Sequence, residues 1–169
     1  MNERTASGGW TLLAHPLFLD QLQDLVTKVE ALQAKDPKGY TSKNATKRLK
    51  MVLDLMGEIQ DDPTREMYRQ GDTLGDEYKH WFRAKFFQQY RLFFRFHKSA
   101  KVVVLAWVND DATLRAYESK SDAYRVFAAM LDEGRPPDSW EALIKEASGD
   151  GVRTNTLLAA AAKALPPTV

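Results

Sequence analysis

The chain contains no cysteine and only three histidines among its 169 residues. The missing cysteines exclude disulfide scaffolds, cysteine nucleophiles and thiolate metal sites, and they fit a reducing compartment. No stretch approaches the roughly 20 apolar residues that span a bilayer, and the amino terminus, MNERTASGG, lacks the basic-then-apolar order of a secretory signal. We therefore expect a cytoplasmic protein with no membrane segment.

Motifs for nucleotide and metal chemistry are absent as well. The sequence has no phosphate-binding glycine loop, no His-Glu-x-x-His pattern, no EF-hand pattern and no nucleophile elbow. Nucleotide hydrolysis and metal-assisted chemistry therefore have no support, and we predict neither a metal site nor a cofactor. A chain of this length is expected to form one main domain with a substantial buried core.

Acidic residues are missing from one long segment, Lys79 to Asn109, whose sequence is KHWFRAKFFQQYRLFFRFHKSAKVVVLAWVN. This cationic segment holds seven of the 24 Lys and Arg residues, so the whole-chain net charge of +1 conceals a local concentration of positive charge. Such charges usually form only a solvated sheet face. A surface that serves solubility alone normally mixes both signs, however, so the pattern favours binding of a polyanion.

Alternate residues of the cationic segment differ in character, as expected for β-strands. Cationic and aromatic side chains share one side of two successive runs: Trp81, Arg83, Lys85 and Phe87, then Arg91, Phe93, Arg95 and His97. The opposite sides are nearly all apolar. The pattern predicts a sheet with one face on the core and one cationic face open to solvent, where RNA binds and where Trp81 and Phe93 stack on bases.

The remaining pattern predicts an α+β fold. Helical spacing of apolar residues from Leu17 to Leu32 and from Ala45 to Met56 indicates an amino-terminal helical hairpin, with Ser42 capping the second helix. Ser121 is expected to cap a later helix that carries Tyr124 and ends at Gly134. Two further helices are predicted, a short one around Trp140 and an alanine-rich one from Thr156 to Leu165.

Strands are predicted in the cationic segment and on both sides of it. The main candidates lie around Tyr78–Phe87, Tyr90–His97 and Lys101–Asn109, joined by connections short enough for antiparallel hairpins. The β-branched run that begins at Val102 is typical of a central strand. Shorter strands are expected at Trp10–Ala14 and, at an edge of the sheet, at Thr113–Tyr117.

Three segments of the chain resemble a known family. They are FRAKFFQQYRLFFRFH from Phe82, KVVVLAWVNDDATLRAY from Lys101 and SKSDAYRVFAAMLDEGRPPDSW from Ser119. Together they are similar to the YhaV toxins of bacterial type II toxin–antitoxin systems, within the RelE superfamily, and the similarity extends from the first helix through Trp140. The resemblance implies an antiparallel sheet of about four strands packed by the amino-terminal hairpin, with carboxy-terminal helices. We assign residues 1–148 to this toxin domain and 149–169 to a short helical tail.

The resemblance also implies an activity and partners. It implies an endoribonuclease that cleaves mRNA, in association with the ribosome, and an AbrB-like antitoxin of the PrlF type that forms a hetero-oligomer with the toxin. An acidic antitoxin segment is expected to compete with RNA for Arg83, Arg91 or Arg95, and the alternative is an antitoxin that binds the amino-terminal helices.

RelE-type sites match particular residues of this chain. Arg83 and Lys85 match a basic pair on one strand, Arg91 matches an arginine on the next, and Tyr124 matches a tyrosine in the last helix. Arg115 and Lys120 compete for one further cation, and the spacing does not decide between them. The wider predicted RNA-binding set combines residues of the cationic segment, Trp81, Phe93, Arg95 and Lys98, with the two that the resemblance implies, Arg115 and Lys120.

These residue types suit RNA cleavage by the neighbouring 2′-hydroxyl. Arginine and lysine stabilise the negative charge that builds on the phosphorane without a metal. A base must accept the 2′-hydroxyl proton, for which Lys85 and His97 are the candidates, and an acid must protonate the leaving oxygen, for which His97 and Tyr124 are. The competing hypotheses are a non-catalytic nucleic-acid binder that uses the same face and a regulatory protein that binds an acidic partner.

Overall fold

The computed structural model describes residues 4–5, 8–116 and 119–167. The strands are β1 (Arg4–Thr5), β2 (Thr11–Ala14), β3 (Phe82–Phe86), β4 (Tyr90–His97) and β5 (Val102–Val108). The helices are α1 (Pro16–Lys35), α2 (Asn44–Asp61), α3 (Ala123–Asp132), α4 (Trp140–Ser148) and α5 (Gly151–Ala164). The α+β architecture is thus confirmed, with amino-terminal helices, a central sheet and carboxy-terminal helices.

The sheet has the strand order β1-β2-β5-β4-β3. Antiparallel pairing joins β3 to β4 and β4 to β5, whereas β2 runs parallel to β5, with Thr11 opposite Val102. The expectation of a purely antiparallel sheet is therefore corrected to a mixed one. Parallel pairing is possible here because the helical hairpin, and not a tight turn, follows β2. The prediction that β5 is a central strand is confirmed.

One face of the sheet packs against α1, α2 and α5. Helix α1 buries Phe18, Leu22 and Val29 in this layer, and α2 buries Leu49 and Ile59. Helix α5 joins the same core and packs along α1, and the Tyr40 hydroxyl donates to the Ala164 carbonyl at 2.8 Å. The carboxy-terminal helix is therefore part of the main hydrophobic core.

The other face of the sheet is also covered, by α3 and α4. The rings of Phe93 and Phe127 stack with their centroids 4.3 Å apart. The centroids of Trp107 and Trp81 lie 5.9 and 5.2 Å from that of Phe127, Trp107 stacked on it and Trp81 edge-to-face with it. The prediction of an open cationic face is therefore wrong. The aromatic residues that alternate with the arginines carry a large apolar area, and its burial is favourable. The apolar stripe of α3 packs on these residues and covers the face.

The apolar run of β5 is almost continuous because both faces of the sheet are buried, and the strand also carries a bulge. Phe93 pairs with Trp107 and Phe94 pairs with Leu105, so Ala106 is the additional residue. Side chains of β5 consequently enter both cores, with Leu105 on the α1 side and Trp107 on the α3 side.

Several local predictions are wrong. Ser42 lies in a 3₁₀ turn and Lys43 precedes α2, while Asp122 and not Ser121 caps α3. The expected edge strand at Thr113–Tyr117 is absent over residues 113–116, and Tyr117 lies outside the described residues. A capping box between Asp110 and Thr113 holds this stretch in a 3₁₀ turn at Asp111–Thr113. Within the described part of the chain, no helix is long and apolar enough to cross a bilayer.

Candidate active site

The β3–β4 hairpin brings three cationic side chains to one side of the sheet. Lys85 lies opposite Arg91 in the strand register, and Arg83 lies opposite Phe93. Because residues two apart on a strand and directly opposite residues share a face, all three point toward α3. Arg83 and Arg91 are buried, whereas Lys85 is exposed.

The two buried guanidinium groups meet at the hydroxyl of Tyr124, near the start of α3. Arg83 Nε donates to the Tyr124 oxygen at 2.9 Å, and Arg91 Nε donates to it at 3.0 Å. A phenolic oxygen has two lone pairs, and these two bonds use both. The hydroxyl hydrogen of Tyr124 is therefore free to be donated elsewhere.

Backbone carbonyl groups fix the orientation of both arginines. Arg83 Nη1 donates to the Met67 carbonyl at 2.9 Å, and Arg91 Nη1 donates to the carbonyls of Gln88 at 2.8 Å and Tyr90 at 2.9 Å. Among the residues that the structure describes, neither Nη2 atom has a hydrogen-bond partner or is enclosed. Each guanidinium is thus held by Nε and Nη1 and presents one further donor group for an anion.

A third guanidinium, that of Arg115, lies against the same tyrosine. Its carbon Cζ is 4.7 Å from the centre of the Tyr124 ring, and its Nη1 donates to Asp122 Oδ1 at 2.7 Å. Asp122 also accepts from the backbone nitrogen of Tyr124 through Oδ2 at 3.0 Å, so one carboxylate orients both residues. Lys120 is exposed in the preceding loop, and the geometry therefore favours Arg115 for the further cation.

Asn109, at the end of β5, positions the hairpin from the other side. Its Oδ1 accepts from the Arg91 backbone nitrogen at 2.7 Å, and its Nδ2 donates to the carbonyls of Gln89 at 3.0 Å and Thr113 at 2.7 Å. The sequence pattern placed Asn109 only at the end of a predicted strand and did not single out Asp122. The capping preference of aspartate before a helix was a usable signal for Asp122, whereas no local pattern marks Asn109.

The arrangement concentrates positive charge around a proton donor. Three guanidinium groups surround the Tyr124 ring and hydroxyl, with Lys85 on the exposed side, and Asp122 is the carboxylate bonded to one of them. Charge fixed in this way stabilises an oxyanion without reorganisation at the moment of reaction. The site can therefore bind a phosphodiester and stabilise the extra negative charge of a pentacoordinate phosphorus.

His97 does not belong to this group. It lies at the opposite end of β4, six residues from Arg91, which at about 3.3 Å per residue is roughly 20 Å away. Its Nδ1 accepts from the Ala100 backbone nitrogen at 3.1 Å, and its ring lies 5.6 Å from that of Trp140. The hypothesis that His97 serves as base or acid beside Arg91 is incompatible with this distance.

Arg95 and two aromatic residues were also predicted to bind RNA, and their surroundings contradict that role. Arg95 lies between the rings of Trp81 and Trp140, at 5.5 and 5.6 Å, and its Nη1 donates to the Asp138 carbonyl. Its Nε is enclosed without a partner, and burial lowers the pKa of its guanidinium. Trp81 and Phe93 have 0% exposure, so neither can stack on a base.

The other predicted cations lie on the surface. Lys98 is exposed in the turn after β4, and Lys120 is exposed before α3, so their role in RNA binding stays a prediction. Residues 4–5, 8–116 and 119–167 contain no group of three or more histidine, aspartate or glutamate side chains that could hold a metal ion.

Comparison with known proteins gives one family. The model of the YhaV toxins, described as toxins with endonuclease activity of a toxin–antitoxin system, matches residues 12–148. The chain is 46% identical over 141 residues to the "Ribonuclease toxin YhaV" of Escherichia coli strain K12, which covers 82% of this chain and 92% of that protein. It is 47% identical over 141 residues, with the same coverage, to the "Toxin YhaV" of Escherichia coli O6:H1. No solved structure matches the chain.

Proposed function

Because this chain belongs to the YhaV family of toxins, we propose that it is an mRNA endoribonuclease of a bacterial toxin–antitoxin system, with Arg83, Arg91, Lys85 and Tyr124 as its catalytic groups. Membership makes it a toxin with ribonuclease activity. The observation that carries the assignment of the site is the pair of hydrogen bonds from Arg83 and Arg91 to the single hydroxyl of Tyr124.

The proposed reaction is an internal transfer within the RNA. The 2′-oxygen attacks the adjacent phosphorus, the bond from phosphorus to the 5′-oxygen breaks, and the products carry a 2′,3′-cyclic phosphate and a 5′-hydroxyl. The phosphorane between these two states has more negative charge than the substrate. Arg83 and Arg91 bind its non-bridging oxygens through their Nη2 groups, and Arg115, whose guanidinium lies against the Tyr124 ring, adds positive charge.

Two proton transfers complete the reaction. Tyr124 donates its hydroxyl proton to the leaving 5′-oxygen, a role supported by the two guanidinium donors that leave its own hydrogen available. Lys85 accepts the 2′-hydroxyl proton as the general base, a role supported by its exposed position opposite Arg91. His97, the other candidate for both roles, is too far from Arg91 to take part.

The proposal extends to the cellular setting of the toxin. As a toxin of a toxin–antitoxin system, the protein has an antitoxin partner. We propose that this partner is an AbrB-like protein of the PrlF type, that it forms a hetero-oligomer with the toxin, and that the substrate is mRNA on the ribosome. The exposed cations Lys85 and Lys120 suit an acidic antitoxin segment that covers the entrance to the site.

The decisive experiment separates acid catalysis from charge stabilisation. Purified protein is incubated in EDTA with a short RNA, and a second RNA carries sulfur in place of the leaving 5′-oxygen. Because a thiolate leaves without protonation, Tyr124→Phe is expected to regain most of its lost rate on the sulfur RNA, although it loses about 10²- to 10⁴-fold on normal RNA.

Arg91→Lys is the matched control, since its defect lies in charge stabilisation and the sulfur RNA should not rescue it. A Tyr124→Phe protein that cleaves normal RNA at the wild-type rate would remove Tyr124 from the mechanism. Products without a cyclic phosphate would contradict attack by the 2′-oxygen. A protein that binds RNA and leaves it uncleaved with intact Tyr124 would point to the non-catalytic alternative.

A further inference from the structure

Exposed apolar side chains mark both sides of the arginine pair. The large apolar residues that the described part of the chain exposes are Met67 at 71%, Phe87 at 42% and Val152 at 70%. Arg83 donates to the carbonyl of Met67 itself, and Arg91 donates to the carbonyl of Gln88, the residue after Phe87. Two of the three exposed apolar residues are therefore attached to the segments that hold the arginines.

Phe87 is exposed on an unfavourable backbone. It occupies the three-residue turn between β3 and β4 with a φ of 44°, and Gln88 follows with a φ of 64°. Residues other than glycine rarely adopt this left-handed conformation, and a bulky aromatic residue is disfavoured there. A glycine would adopt it without strain, and although the Phe87 ring meets that of Phe86 at 5.8 Å, the residue stays 42% exposed, so packing accounts for a phenylalanine here only in part.

Because Trp81 and Phe93 are buried, Phe87 is the aromatic residue of the cationic segment whose ring is available to a nucleobase. Trp81 and Phe93 are fully enclosed, and Phe87 is the large apolar residue between Lys79 and Asn109 that solvent reaches freely. A nucleobase stacks on an exposed aromatic ring whatever its identity, because every base has a π-face. The thioether chain of Met67 adapts to irregular apolar surfaces.

We propose that Phe87 and Met67 are the base-binding residues of this enzyme, with the nucleobases on the two sides of the scissile phosphate packing against them. The proposal rests on the proposed phosphate site at Arg83 and Arg91. One base stacks on Phe87 beside Arg91, and the other packs on Met67 beside Arg83. The site thereby selects unpaired RNA with splayed bases, since paired and stacked bases cannot reach both residues.

Phe87→Gly tests this inference with little risk to the fold, because glycine relieves the strained turn while it removes the ring. The KM for a short single-stranded RNA is expected to rise about tenfold, with kcat within about threefold of wild type, since stacking is binding energy that substrate and transition state share. Phe87→Trp should keep the wild-type KM. Met67→Ala should raise KM by a smaller factor, and Val152→Ala, an equally exposed apolar residue on α5, should change nothing.

An RNA that lacks a single base shows whether the lost affinity is stacking. Affinity is measured with a 2′-O-methyl RNA that cannot be cleaved, with the base removed at each position near the cleavage site in turn. At one position, wild type and Phe87→Gly should bind the abasic RNA equally. The proposal is overturned if Phe87→Gly keeps the wild-type KM or if Phe87→Trp binds RNA as weakly as Phe87→Gly. It is also overturned if Phe87→Gly loses affinity for the antitoxin while its affinity for RNA is unchanged.

The same assays separate this proposal from that of the catalytic groups. A fully active Tyr124→Phe protein together with a high KM for Phe87→Gly would leave the base-binding role intact and overturn the proposed acid. An inactive Tyr124→Phe protein together with an unchanged KM for Phe87→Gly would do the reverse.

Discussion

Arg91 and Arg95 lie four residues apart on the same face of β4, and their guanidinium groups differ in how fully they are hydrogen-bonded. Both guanidinium groups lie over aromatic rings, Arg91 at 5.6 Å from Tyr124 and Arg95 at 5.5 Å from Trp81. Arg91 has three hydrogen-bond acceptors and keeps its Nη2 available, whereas Arg95 has an enclosed Nε without a partner. The first is poised to bind an anion, and the second fills space between two tryptophans.

The difference arises from what each aromatic neighbour offers. Tyr124 carries a hydroxyl that accepts a hydrogen bond and holds the guanidinium in place. The indole N–H of Trp81 donates to Asp138 Oδ1 at 2.7 Å, and because an indole has no acceptor, Trp81 offers Arg95 only its ring. Charge and strand position are therefore insufficient to identify a catalytic arginine, and the polar partner of the guanidinium decides.

Lysine substitution at both positions should give the largest contrast. Arg91→Lys keeps the charge and loses the planar fork that contacts Tyr124 and, in the proposed mechanism, the substrate, so we expect cleavage to fall about 10²- to 10³-fold. Arg95→Lys is the matched control, with cleavage within about threefold of wild type, because Arg95 touches no reacting group. Single-turnover rates on one RNA measure both. Equal losses at the two positions would refute the division of roles.

Salt dependence should show which cations meet phosphates. If Arg83, Lys85, Arg91 and Arg115 neutralise three or four phosphates of a single strand, the log–log slope of affinity against salt is about −2 to −3. Lys85→Gln should make the slope shallower by about 0.7, and Arg95→Gln should leave it unchanged. Binding of an RNA that cannot be cleaved, titrated with KCl, measures these slopes. A shallower slope for Arg95→Gln would show that RNA also reaches the end of β4 that carries Arg95 and His97.

Replacing Arg95 by an apolar side chain should affect stability only, and little. Arg95→Met gives up the bond to the Asp138 carbonyl but also removes an enclosed charge with an unpartnered Nε, so the free energy of unfolding should change by about 1 kcal/mol or less. Urea denaturation measures the change. A loss of several kcal/mol would mean that the charge itself stabilises the packing of α4 on the sheet.

Much of the fold could be predicted because its signals are local. Helical spacing of apolar residues located α1 and α2, and the run from Val102 located the central strand. The covered second face was missed since the arginines suggested solvent, although the aromatic residues between them, such as Trp81 and Phe93, signalled burial. Long aliphatic stems allow arginine to share a layer with aromatic rings, and a polar pattern then hides a core.

The site was predicted less completely than the fold. Arg83, Lys85, Arg91 and Tyr124 were identified by resemblance to a family, and the structure brings the two arginines and the tyrosine into contact. The positioning role of Asn109 was not predicted, because its bonds join residues 18 and 20 positions apart in the chain. Contacts of that kind follow from the register of the sheet, which the alternation of residue types does not fix when both faces are buried.

The smallest expected effect concerns Tyr90, the neighbour of Arg91, whose side chain points to the opposite face of the sheet. Its hydroxyl donates to Asp111, and this bond, with the charges of Arg48 and Lys28, holds the pKa of Asp111 below its ordinary value. A carboxylate with a lowered pKa in the folded state stabilises the protein above its unfolded pKa of about 3.9, and this contribution is lost as the pH falls through the folded value. Wild type should therefore lose more stability between about pH 5 and pH 3 than Asp111→Asn.

Tyr90→Phe should give an intermediate result, and both variants should cleave RNA at pH 7 within about threefold of wild type, since neither residue lies on the face of Arg91. Thermal unfolding over this pH range measures the difference in stability, which should be small because Asp111 is half exposed. If plots of stability against pH for wild type and Asp111→Asn are parallel, the bond to Tyr90 adds no pH-dependent stability.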